Sequence, residues 1–137
     1  MKAFFHYISY LQYPFVLAGA YWQLRPLFVG LDTYWPSLNQ ALVFWGIGIG
    51  LATLQDTSTT QHALARRIWE SPRAGKATIG VMAVTGAIFL LGGLYGMYAA
   101  PHQAIREVAF GLVALGIGWM GMLKAALEMF EHHRKDR

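Results

Sequence analysis

His6, Tyr10 and Tyr13 stand at helical spacing on one stripe of an otherwise apolar N-terminal segment, with Ser9 and Gln12 beside the stripe and Pro14 just above it. Polar side chains in lipid need partners, so the stripe is expected to face protein or a wet cavity, where it could hold a quinone head group or pass protons. The competing use is structural: Tyr and His near a bilayer surface serve as interfacial anchors, with Gln12 bonded to a neighbouring helix. A second polar group, Gln55, Asp56 and Glu128, could form an ion or proton site. Against that stands a salt bridge between Asp56 and Lys124. It is the preferred reading, because an acid at headgroup depth is ordinarily solvated or paired.

Other chemistries find less support. Haem in a membrane bundle is held by His pairs on facing helices. Here His6, His62, His132 and His133 fall at or beyond the inner surface and His102 falls outside. No resident haem, quinone or metal is expected, and bound lipid is. The chain has no cysteine, which excludes disulfides, thiolate metal sites and Cys nucleophiles. It carries no GxSxG, HExxH or P-loop pattern. An enzyme is not expected.

Glycine is the more informative residue. Gly46 with Gly50 and Gly92 with Gly96 are GxxxG pairs, and Gly111, Gly116, Gly118 and Gly121 line a later apolar segment. In lipid there is little hydrophobic drive between helices, so close approach over small residues supplies the packing. These glycines are assigned to helix packing, within the chain or against a partner subunit. Arg66, Arg67, Trp69, Arg73 and Lys76 form a basic, aromatic group expected at lipid headgroups.

The elements that must position these residues follow from composition. The chain has 137 residues, 55% hydrophobic and 13% charged, against about 25% charged in a soluble domain. Its windows 3–24, 33–55, 77–105 and 108–123 contain no Asp, Glu, Lys or Arg. A bilayer crossing takes about 20 apolar residues. The fourth window is short, but Lys124 can snorkel and extend it. The reading is one all-α, polytopic membrane domain over 1–137, with four transmembrane helices at about 3–24, 39–58, 77–99 and 105–127. The start resembles a secretory signal, but Tyr, His, Gln and Pro interrupt its apolar stretch, so it is taken as the first span. Pro14 should kink that span and loosen the carbonyl of Tyr10.

Two inward-running helices are expected to project past the membrane as extensions near 59–70 and 128–135. For the first, continuity with the second span is preferred over a separate interfacial helix that dips Trp69 into lipid. Ser71-Pro72 ends it. Leu42–Gly48 and Leu112–Gly118 share the pattern LVxxGIG, and Leu17–Tyr21 resembles Leu91–Tyr95. Two accounts stay open: hairpins related as parallel repeats, or coincidence among Gly, Leu and Ile.

If the termini and the middle loop share a side, that side holds nine of the eleven Lys and Arg residues, and only Arg25 and Arg106 lie opposite. The positive-inside bias then places both termini in the cytoplasm of a multi-pass cell-membrane protein, bacterial inner membrane being the simplest host. The pI near 9.6 reflects topology and anionic-lipid contact, not nucleic acid. In length and span number the chain resembles small multidrug transporters, but those carry an acid deep in the first span and this one has none. The function expected is a non-enzymatic packing or accessory subunit, in a homo-oligomer or a larger membrane complex. The alternatives are a small transporter or channel using Gln12, Tyr13 and Pro14 with Gln55 and Asp56, and a redox subunit using the His6–Tyr13 stripe.

Overall fold

The computed structural model describes residues 1–54 and 63–133, and every element among them is helical. Gln55, Asp56 and His62 lie outside the described residues, as do 134–137. The helices are α1 (Lys2–Ser9), α2 (Gln12–Leu24), α3 (Pro26–Val29), α4 (Tyr34–Ala52), α5 (Ala63–Glu70), α6 (Pro72–Tyr98) and α7 (Gln103–His133). A short 3₁₀ turn, Leu31–Thr33, precedes α4. Two of them, α6 and α7, are each long and apolar enough to cross a membrane.

The boundaries have local causes. The first apolar window is split at Tyr10 and Leu11, because Pro14 has no N–H to offer the carbonyl of Tyr10. That carbonyl accepts instead from the nearer Tyr13 N–H at 3.2 Å, a tighter turn. The hydroxyl of Ser9 donates to the His6 carbonyl at 2.6 Å just before the break. Gly30, with φ of 140°, turns the chain between α3 and α4 in a conformation that favours glycine. α4 begins earlier than the expected second span and ends earlier, at Ala52. There the Thr53 hydroxyl donates to the Gly50 carbonyl at 2.6 Å, and Thr53 and Leu54 form a turn. α5 is thus a helix of its own, where one continuous rod was the preferred expectation. Ser71 caps α6, its hydroxyl oxygen accepting from Ala74 N–H at 3.4 Å, with Pro72 in the first helical position. α7 is continuous through Lys124 to His133, so the segments expected as the fourth span and its extension are a single helix as far as His133.

The long helices pack as a row in the order α2, α4, α7, α6, each packing mainly on its neighbours in that order. α4 and α7 run parallel: Asn39 and Leu42 meet Gly111, Gly46 meets Ala114 and Gly118, and Thr53 meets Gly121. α2 is antiparallel to α4, with Gly19 at Trp45 and Val16 at Gly48. α6 is antiparallel to α7, pairing Gly75 with Phe130, Gly86 with Trp119, Gly93 with Val113 and Gly96 with Ala109. The central position of α7 and the edge position of α6 show in burial. The most apolar window of α7 is 33% buried and that of α6 only 11%.

The internal matches do not mark equivalent positions. Gly46 faces α7 and Gly48 faces α2, whereas Gly116 faces Leu90 of α6 and Gly118 faces Gly46 of α4. The counterparts of Gly19 and Trp45 are Gly93 and Leu115, yet Gly93 lies against Val113. The two hairpins pack in different registers, so a repeat built on both matches is not supported.

Candidate functional site

The most tightly built region is the crossing of α4 over α7. A Cβ on Gly118 would run into the carbonyl oxygen of Gly46, and one on Gly46 would lie 2.5 Å from the carbonyl oxygen of Ala114. Gly50 is looser, with the Gly118 Cα at 3.9 Å, and a Cβ on Gly121 would meet the Thr53 hydroxyl at 3.2 Å. Near the N-terminal ends of the two helices in this contact the Gly111 N–H donates to Asn39 Oδ1 at 2.7 Å. Between helices in lipid such a bond contributes about 0.6 to 1.7 kcal/mol. Asn39→Ala is expected to destabilise the fold by about 1 kcal/mol, read from reversible unfolding in mixed detergent. A change indistinguishable from zero would show the bond to be idle.

The α6–α7 contact uses glycines to admit large side chains. Gly75 accommodates the Phe130 ring, and Gly86 makes room for Trp119, whose indole N–H donates to the Met82 carbonyl at 2.8 Å. Gly19 does the same for Trp45 on the other side of the row. On the sequence-assigned glycines, Gly116 holds Leu90 and Gly96 packs on Ala109 and Ile105. Gly92 is a correction to the in-chain assignment alone: no described atom lies within 4 Å of a Cβ built there, and its neighbour Gly93 makes the contact with α7. Gly19, Gly75, Gly86 and Gly93 were not singled out by spacing.

Trp69 is a second correction. It is 8% exposed and forms an apolar cluster with Ala126 and Phe130, against which Ile79, Met82 and Met129 pack. The pocket for its indole is made by the ends of α6 and α7, so the side chain is buried within the chain. The four basic residues grouped with it stay outside. Arg66 Nε lies 2.8 Å from Glu70 Oε1, its side chain 67% exposed, and Arg67, Arg73 and Lys76 are exposed.

The polar stripe of α1 and α2 keeps its spacing but faces outward, not into protein or a cavity. His6 is exposed, Tyr10 is 49% and Tyr13 56% exposed. The Tyr10 hydroxyl lies 3.4 Å from His6 Nε2, and the Tyr10 and Tyr13 rings stack at 6.2 Å. The outward direction follows from packing, since the inner face of α2 is taken by Gly19 under Trp45. Gln12 is half-buried, its backbone carbonyl oxygen 3.5 Å from where a Gly48 Cβ would be.

In the C-terminal part of α7 Lys124 Nζ lies 3.7 Å from Glu128 Oε1 on the same helix. Both are largely exposed, and such a pair contributes at most about 1 kcal/mol. The bridge from Lys124 to Asp56, and the grouping of Glu128 with Gln55 and Asp56, fall on residues outside those described. Among the described residues no cluster of three or more His, Asp or Glu could hold a metal ion. Compared with protein-family models, curated proteins and solved structures, the chain matches none.

Proposed function

We propose that this chain is an integral membrane protein that crosses the bilayer four times with both termini in the cytoplasm. It acts as a non-enzymatic packing or accessory subunit of a homo-oligomer or larger membrane complex. The observation that carries the membrane reading is the exposed face of α6. On one helical face it runs from Arg73 and Lys76 through Gly80, Val84, Ile88 and Leu91 to Tyr95 and Tyr98. Val84, Ile88 and Leu91 are 61%, 62% and 66% exposed. From Lys76 to Tyr98 the helix rises about 33 Å, close to the ~30 Å hydrocarbon thickness. Basic residues at one end and tyrosines at the other are the usual boundary residues.

An accessory role is supported by where the polar and small residues sit. The tight contacts are glycine-based and tie α4 to α7, while the row ends in two open edges, α2 and α6. A row with open edges has apolar faces for lipid or for neighbouring membrane helices. The His6–Tyr13 stripe, placed outward, gives no lining for a transport path between the helices.

Two measurements test this. The absence of cysteine makes single-cysteine labelling clean: Arg73→Cys should react with a membrane-impermeant reagent only after the cytoplasmic side is exposed. Labelling from outside overturns the topology. Extraction into native nanodiscs followed by mass analysis should return a species larger than one 15.3 kDa chain. A predominantly monomeric species overturns the accessory role.

A further inference from the structure

We infer that the inner end of α6, with the adjoining outer surface of α5, holds an anionic phospholipid: its phosphate at Arg73 and Lys76 and its acyl chains along Gly80, Val84 and Ile88. This rests on the membrane reading above and adds the chemistry of the lipid. Three observations carry it. Burial of Trp69 fixes which way α5 faces. At about 100° per residue, Arg67 emerges on the side opposite the anchored indole, and it is exposed. Glu70, the acid nearest in sequence, is engaged by Arg66 at 2.8 Å. Arg73 and Lys76 are one turn apart on the exposed face, and the first turn of α6 contains no acid. Each basic residue near an anionic surface attracts it, and two or three together select anionic over zwitterionic headgroups.

The apolar part of the site distinguishes a lipid from a free phosphate. The same face turns from basic to apolar within one turn of Lys76. No described atom lies within 4 Å of a Cβ built on Gly80, so an acyl chain can lie directly on the backbone there. Val84 and Ile88 continue that surface toward the bilayer centre. Charge followed by an exposed apolar strip along one helix complements an amphiphile, and a small soluble anion would use only the first half.

The test compares phosphatidylglycerol with phosphatidylcholine of identical acyl chains, added to delipidated full-length protein and read by native mass spectrometry and by the thermal midpoint. Phosphatidylglycerol should bind preferentially and raise the midpoint. The double substitution Arg73→Gln, Lys76→Gln should weaken its binding about 30-fold, roughly fivefold for each charge removed. Its midpoint in phosphatidylcholine should not change, since both side chains are exposed. Arg106→Gln removes a charge at the far end of α6–α7 and should leave binding within about twofold. Equal binding of the two lipids, or an unchanged affinity in the double variant, overturns the lipid site and leaves the topology to the separate labelling at position 73. Competition by millimolar inorganic phosphate would assign the basic pair to a soluble anion and overturn it as well. Anionic preference that survives the double substitution would place the lipid elsewhere on the protein.

Discussion

Gly118→Ala is expected to lower the unfolding free energy by about 2 kcal/mol, and Gly118→Leu to prevent a stable fold. The sign is not that of helix propensity, which favours Ala over Gly by up to about 1 kcal/mol in a helix interior. It is set by what the new methyl group meets. At Gly118 the neighbour is the backbone carbonyl of Gly46, which cannot rotate away as a side-chain tip can. The helices must separate, and the separation is shared: it opens the Gly46–Ala114 contact and stretches the Asn39–Gly111 hydrogen bond along the same interface. The controls are Gly80→Ala and Gly92→Ala, where no described atom lies within 4 Å of the added carbon. There only the backbone effect acts, and a gain of up to about 1 kcal/mol is expected. Unfolding midpoints of the three alanine variants in one detergent titration decide the matter. A Gly118→Ala variant as stable as Gly80→Ala would mean that the α4–α7 crossing is looser than described.

The contrast between those positions also shows where reading the chain as a sequence stops. Apolar windows bounded by charge were visible, since burial in hydrocarbon depends on local composition and length. The break at Tyr10 was visible too, because the missing N–H of Pro14 is a covalent fact that no tertiary context restores. Ser71-Pro72 was visible as the end of the preceding helix, but the third span was expected only from 77, and α6 starts at Pro72 with Ser71 as its cap. Which glycine of α6 packs was not visible, because it depends on the rotation and register of the partner helix α7. Gly92 and Gly96 have the motif spacing, yet Gly93 and Gly96 carry the contact with α7. The His6, Tyr10 and Tyr13 spacing was legible as a stripe, but its direction was decided by Trp45 occupying the opposite side of α2. Asp56, on which the salt-bridge reading turned, lies outside the described residues, so that reading stands as an expectation.

Trp69→Ala is expected to release α5 from the end of the α6–α7 pair while the row of long helices stays folded. Beside Arg66 and Arg67 at the edge of a span, a Trp looks like an interfacial residue. Its burial depends on Phe130, 61 positions later, fitting over Gly75 and leaving a pocket floored by Ala126. Truncating a buried Trp to Ala costs about 3 to 5 kcal/mol. A helix of eight residues has no intrinsic stability in water to draw on. The loss therefore appears as local opening, because α5 packs on the rest of the described chain mainly through α6 and α7. Amide exchange in residues 63–70 should accelerate on the order of 100-fold, with exchange in α4 and the middle of α7 unchanged. Phe130→Ala should produce the same local signature from the other side of the contact. Trp69→Phe, which retains a ring at the pocket, should restore most of the protection. Exchange in α5 that does not respond to Trp69→Ala would show that the helix is held by other contacts, and the anchoring role of the indole would be lost.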